Sequence, residues 1–506
     1  MKDISILFPD SIHFHERNFK SLFELITRHS LSHTFIKDRN SWVAAYGQYS
    51  NFENELKDYY TEIKNFSSDQ LSTITKHNIN LFSICRDEAL TFYLPNPMFR
   101  DLIKDVPDNN KLLSIMYSVD SQALLLNLSA AWSWLDFWIE KLSSIKIHTY
   151  ACIFSGAQIY NRALIEILKV HQTTPLVMEH FFTGNEYYIE EKYEPIPNNT
   201  NLRHNNTYKN IIIDNDPLEQ ERTRIKAINK ILLANNKNVK QPDGDFIIEN
   251  NGKKVVSIIG QVVNDFSIIC TAKKYLSSID FYIELINKLL KNDDIFVVFK
   301  AHPWERQKNN IKEALTFNCI TKFVSGLSEE KASRVFITED FNLSALIKQS
   351  DHIVTLCSQS AIEAAFLGSK PVQLGQAFYG KKGFTYDYDS IDNFIEQLND
   401  NKLNRFLTIA EYKNLEIFLV RYLEKHLVSV HKSGILSLER KLKKRPLIPL
   451  IKAIDKQIIN SQKIIITVPP YKILKPKKKF RKFRRNPKRF FLDSRFKLLN
   501  IVGKFF

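Results

Sequence analysis

A lysine and a histidine, one residue apart and closed by a proline, stand directly behind an apolar run at Phe299-Lys300-Ala301-His302-Pro303. Ligands of open α/β sheets lie just beyond the carboxyl ends of strands, where an ammonium and an imidazole donate to phosphate oxygens. A polar loop at a strand end, with no ligand, is the plainer account. A second stretch runs from Thr355 through Ser358-Gln359-Ser360-Ala361-Ile362-Glu363 to Gly368-Ser369-Lys370-Pro371. Here a strand ends, Ser358 or Ser360 suits the N-cap of a helix, and the glycine closes that helix before the next strand. Free amides and the positive end of a helix dipole favour an anion, and Glu363, about a turn inside, suits ribose hydroxyls. The alternative is a capped helix with an incidental glutamate. The third stretch, Val177-Met178-Glu179-His180-Phe181-Phe182-Thr183-Gly184-Asn185, sets a carboxylate beside an imidazole ahead of a glycine turn. That pair suits acid–base work or acceptor binding; a structural role for His180 is the competing reading.

Such groups need strands to end beside them, and the apolar runs supply strands. In the first region, about 1–245, Ile147 to Phe154 reads as a strand, Tyr160 to Val170 as a helix, and Pro175 to Met178 as the next strand. Ala130 to Leu142, with three tryptophans, has helical spacing. Residues 195–210 and 235–253 are rich in loop formers, and the second reads as an interdomain linker. In the second region, about 254–430, strands are expected at Val255 to Ile259, Ile295 to Phe299, His352 to Leu356 and Pro371 to Leu374. Helices are expected at Phe281 to Leu290, Phe341 to Lys348 and Ala361 to Leu367. This alternation gives an α/β chain of two Rossmann-like domains facing a cleft, the GT-B-like arrangement, with the first two stretches on the second domain and the third on the first. Residues 431–506 form a helical extension and a basic tail.

Charge separates that tail from the rest. The net charge is +16 over 506 residues, yet residues 467–506 hold fourteen Lys or Arg and one acid, Asp493. The tail interleaves Lys477, Lys478, Lys479, Arg481, Arg484 and Arg485 with phenylalanines and continues to Phe490 and Phe491. Basic residues near an anionic leaflet contribute up to about 1 kcal/mol each, and aromatic side chains enter the interface. An anionic membrane surface is therefore the expected partner. Nucleic acid is not, because a nucleic-acid enzyme usually carries its basic track into its cleft, and the body here is nearly neutral; a merely solvated tail would not need the aromatics. No apolar run approaches the roughly 18–20 residues that span a bilayer. The first residues read as a buried strand rather than a secretory signal. Cys85, Cys152, Cys270, Cys319 and Cys357 are widely spaced and read as reduced thiols. The expected location is cytoplasmic, peripheral on the inner face of the cytoplasmic membrane. Asp214-Asn215-Asp216, Asp243-Gly244-Asp245 and Asp387-Tyr388-Asp389 all match a DxD metal pattern equally well, so chance explains them; neither metal nor cofactor is expected.

Four segments in order resemble the bacterial capsule polysaccharide biosynthesis family, which includes the retaining β-Kdo transferases that use CMP-Kdo. They are Ile259-Gly260-Gln261-Val262-Val263-Asn264-Asp265, Lys300-Ala301-His302-Pro303, Ser358 through Glu363 with Gly368-Ser369-Lys370-Pro371, and Gly375-Gln376-Ala377-Phe378-Tyr379 with Gly383-Phe384-Thr385. The resemblance covers about 255–390. It implies a glycosyltransferase that moves Kdo or a sialic-acid-like sugar from a CMP-activated donor to a glycan or glycolipid acceptor, among other capsule assembly proteins. It also implies that Gln261, Lys300, His302, Ser358, Ser360 and Glu363 hold the nucleotide sugar: Lys300 and His302 on phosphate, Ser358 capping it, Glu363 on ribose. Glu179 and His180 are the catalytic candidates. Retaining members carry a Glu-Asp-Gly-type segment where this chain has Glu179-His180-Phe181, so retention and inversion both stay open, with Asp214 and Asp216 as substitute carboxylates. Two alternatives stand beside this reading: a non-catalytic capsule assembly or export partner, and a nucleotide-sugar epimerase or hydrolase on the same fold.

Overall fold

The structure, a computed structural model, describes residues 3–103, 105–234, 242–307, 311 and 313–443. It contains two six-stranded sheets and one short hairpin. The first sheet begins with β1 (Ser5–Phe8) and β2 (Ser32–Phe35). After the hairpin β3 (Thr75–Lys76) and β4 (Ile79–Asn80), it resumes with β5 (Tyr150–Phe154), β6 (Thr174–His180) and β7 (Glu186–Glu191). β2, β1, β5 and β6 are parallel neighbours, whereas β7 runs antiparallel to β6. The buried strands are nearly continuous apolar runs, as both-face burial demands. The strand–helix–strand unit expected around residue 160 is present, its helix spanning Ile159–Leu168.

Between β2 and β5 the chain inserts helices at Glu53–Ile63, Leu81–Tyr93, Asn109–Val119 and Ser121–Ser144. The tryptophan-bearing helix is buried over most of its length. Trp134 and Trp138 are among the largest fully buried side chains, and the Trp138 indole donates to the Tyr160 carbonyl at 2.8 Å. This insertion is a layer on the first sheet.

The second sheet contains β8 (Lys254–Ile259), β9 (Ile295–Lys300), β10 (Val335–Thr338), β11 (His352–Thr355), β12 (Val372–Gln373) and β13 (Tyr386–Asp387), ordered β10-β9-β8-β11-β12-β13 and all parallel. The four strands and three helices expected here lie within a few residues of β8, β9, β11, β12 and the helices Ser278–Leu289, Leu343–Gln349 and Ser360–Phe366, whereas β10 and β13 were not expected. Two expectations need correction. Residues 195–210 are not simply a loop, since Asn201–Arg203 and Asn205–Lys209 are helical turns. The boundary drawn at residue 430 also fails: β14 (Val428–Ser429) pairs with β7 on the edge of the first sheet. A two-residue strand carries too little pattern to be seen in sequence. The chain thus crosses from first domain to second and back again.

Candidate functional site

Loops from the carboxyl ends of both sheets meet around one cavity of about 250 Å³. The first sheet contributes Ser155 after β5 and Glu179 with His180 at the end of β6; the second contributes Asp265 after β8, Gln359 after β11 and Phe378 after β12. Direct bonds close the cleft beside the cavity. Phe182 N–H donates to Gln359 Oε1 at 3.3 Å. Asn198 donates through Nδ2 to Thr271 Oγ1 at 2.8 Å, and its Oδ1 accepts the Phe378 N–H at 2.7 Å. Asn198 sits at φ 53°, a left-handed conformation that asparagine tolerates better than most residues.

On the first-sheet wall, Glu179 is half-buried and its carboxyl is pushed up to about 7. Burial is the main cause; the His180 amide, His13 and Ser155 pull the other way, and Asp265 across the cleft adds to the rise. The His180 N–H donates to Glu179 Oε1 at 3.0 Å, and the His180 ring stacks on Phe19 and bonds Asn18 at 3.1 Å. Behind them lies a pair the sequence did not single out. Asp10, fully buried after β1, accepts the amides of Ile12 and His13 at 2.8 and 2.7 Å and the Tyr160 hydroxyl at 2.9 Å. Its Oδ1 is 3.3 Å from His13 Nδ1. Burial alone would raise the Asp10 carboxyl, but His13 and Tyr160 hold it below the usual range. The signal in sequence was a carboxylate and an imidazole three residues apart after the first strand.

On the second-sheet wall, register sets Ile259 beside Lys300 and Val354 beside Ile258. The loops behind β8, β9 and β11 therefore leave the sheet at one level. Lys300 is only 3 % exposed, and its ammonium has no hydrogen bond or ion pair among the described residues. Desolvation pushes its ammonium down to about 8, opposed by Asp340, Glu363 and Glu339. Glu363, on the helix Ser360–Phe366, is pushed up to about 7 by burial and drawn back by Lys300. The two groups thus feel each other's charge. His302 Nδ1 accepts the Trp304 N–H at 3.2 Å.

Three expected groups take other duties. Gln261 is buried, with Oε1 accepting the Cys357 N–H at 3.0 Å and Nε2 donating to Asp265 Oδ2 at 3.1 Å. These bonds brace Asp265 and the end of β11. Ser358 and Ser360 are not the cap residues; Gln359 holds that position without a side-chain cap. Their hydroxyls bond each other at 3.1 Å, and Ser358 Oγ also takes the Ser360 amide at 3.3 Å. Gln359, next to both, lines the cavity, whereas Lys300, His302 and Glu363 do not.

Other expected carboxylates are accounted for locally. Asp216 caps the helix Pro217–Leu232, Asp214 pairs with Lys425 at 3.3 Å, and Asp387 accepts Gln373 and Thr385. Among the described residues no group of three His, Cys, Asp or Glu is arranged to hold a metal ion, and no helix is long and apolar enough to cross a membrane. The tail residues Lys477 to Phe491 lie outside the described residues.

Residues 186–415 match the family model described as capsule polysaccharide biosynthesis protein. No match was found among curated protein sequences. Among solved structures, the chain is similar to Thermosulfurimonas dismutans KpsC, beta Kdo 2,4 transferase, at 19% identity and a TM-score of 0.37, covering 54% of this chain and 79% of that one. It is similar to the KpsC beta Kdo 2,7 transferase of the same organism at 17% identity and a TM-score of 0.33, covering 60% and 89%. The glycosyltransferase SnogD from Streptomyces nogalater aligns at 9% identity and a TM-score of 0.30, covering 87% and 100%.

Proposed function

We propose that this chain is a glycosyltransferase working in the cleft between its two sheets, a reading supported by the match of residues 186–415 to the family model described as capsule polysaccharide biosynthesis protein. Its donor is a CMP-activated sugar, Kdo or a sialic-acid-like sugar, and its acceptor is a glycan or glycolipid. The observation that carries the reading is Lys300, a buried lysine at a strand end whose ammonium has no ion pair among the described residues and is coupled electrostatically to Glu363. A buried cation is costly unless an anion meets it, and a donor phosphate beside Lys300 and His302 supplies one. Glu363 then accepts from ribose hydroxyls, while the Ser360 hydroxyl, which accepts from Ser358, remains as a further phosphate donor.

Chemistry falls to the first-sheet wall. A carboxyl raised to about 7 is matched to taking a proton from an acceptor hydroxyl near neutral pH. Glu179 is the general base in this reading, His180 its neighbour toward the acceptor, and Asp10 with His13 sets the charge behind it. Calorimetric titration with CMP, UDP and GDP tests the donor class: CMP should bind, and Lys300→Ala should weaken it about ten- to a hundredfold, the value of one charge-assisted bond. Preference for UDP or GDP would overturn the donor assignment. No binding by any nucleotide would favour a non-catalytic assembly role.

A further inference from the structure

Away from the cleft, the helix Pro217–Leu232 buries only Ala227 and Ile231. Leu218, Ile225 and Leu232 recur every seven residues on its outer face and are 70%, 46% and 65% exposed, with Leu233 beside them at 72%. A stripe of this kind on a soluble surface marks an unmet partner. It borders a groove of about 720 Å³ whose walls are this helix and the helix Ile435–Lys443. Lys226 and Arg440 line the groove and form no ion pair among the described residues; Leu436, 59% exposed, lines it as well. The nearby acids are already matched: Glu219 by Arg222 at 2.5 Å, Glu221 by Arg224 at 2.8 Å and Glu424 by Lys230 at 2.8 Å. The uncompensated charge on this face is therefore positive. The sequence beyond the groove's second wall, from residue 444 onward, holds 19 Lys or Arg against two acids.

We propose that this face docks on an anionic phospholipid surface. Leu218, Ile225, Leu232, Leu233 and Leu436 enter the acyl boundary while Lys226 and Arg440 meet headgroup phosphates, the division of labour of an interfacial amphipathic helix. Charge complementarity selects lipid over a neutral protein partner. The docking is independent of which sugar or nucleotide the cleft takes.

The test uses the full chain and sedimentation with vesicles of phosphatidylglycerol mixed with phosphatidylcholine, against phosphatidylcholine alone, at one salt concentration. The wild type should partition onto the anionic vesicles. The triple variant Leu218→Glu, Ile225→Glu, Leu232→Glu alters exposed positions and should melt as wild type while losing at least about tenfold in partition. A lipid carrying a photoactivatable acyl chain should label peptides 217–233 and 435–443 of the wild type, which decides the matter even if the variant misfolds. Labelling confined to residues after 443, or unchanged partition of a folded variant, would overturn the proposal. So would a lipid-independent dimer that the same variant dissolves, since it would give the face to a second copy of the chain.

Discussion

Glu179, half-buried, and Asp10, fully buried, are two carboxyls on one wall shifted in opposite directions. Glu179 is raised to about 7 because its burial outweighs its few donors, while Asp10 is lowered because two amides, a phenol and an imidazole surround it. Pairs pushed apart in this way divide acid–base roles. For Glu179 as base, activity should rise with pH through about 7, since the ionised form takes the proton. Glu179→Gln should lose roughly 10²–10⁴ in kcat and erase that limb of the pH profile. Lys300 works with the opposite sign. It is a cation below about 8 and neutral above, so CMP affinity should fall as pH rises past that value, and Lys300→Arg should remove the fall; titrating the binding constant between pH 6 and 9 checks it. Glu179, Lys300, His302 and Glu363 were legible in sequence because charged residues directly after apolar runs are conspicuous. Asp10 and His13 were not, because only folding shows which of many nearby acids and imidazoles are sealed together behind a strand.

At the scale of elements, strand ends do the positioning, and tight backbone approaches fix them. A Cβ on Gly375 would come within 2.7 Å of the Leu356 carbonyl oxygen, where the Gly375 amide already bonds at 2.8 Å. Gly375→Ala should therefore pry the loop after β12 from the end of β11, lowering stability by about 1–3 kcal/mol and loosening Phe378 at the cavity; thermal melting and CMP titration measure both. Glu88 joins the helical insertion to the first sheet: its carboxyl takes the amides of Gly47 and Ile159 and the Tyr49 hydroxyl. Burial raises it to about 7. Its folded value lies above the unfolded one, so its contribution is full below about 4.5 and is lost as pH rises through about 7. Glu88→Leu should cost about 1–3 kcal/mol for each orphaned donor, while Glu88→Gln should flatten stability against pH over that window. The α/β alternation was readable because parallel strands are continuous apolar runs. The capping assignment at Ser358 and Ser360 was not, since either serine fits the local rule and the turn geometry chose Gln359.

For the molecule as a whole, side-chain bonds clasp the two sheets beside the cavity, those of Gln359 and Asn198 among them. Asn198 alone reaches Thr271 and the Phe378 amide. Asn198→Ala should widen the cleft, seen as a larger radius in small-angle scattering, and lower kcat/KM by about ten- to a hundredfold. A two-domain outline was visible from composition and strand spacing. Its true boundary was hidden, because the return of the chain to the first sheet rests on β14, only two residues long.

That return has a mechanical result. Two separate threads of polypeptide join the lobes, so any hinge must bend both at once, and the permitted rotation is confined to the line running through the two crossings. A nick introduced between residues 242 and 253 should consequently leave a protein that still behaves as a single particle on gel filtration, because the fragment beginning there keeps its own strand inserted in its neighbour's sheet.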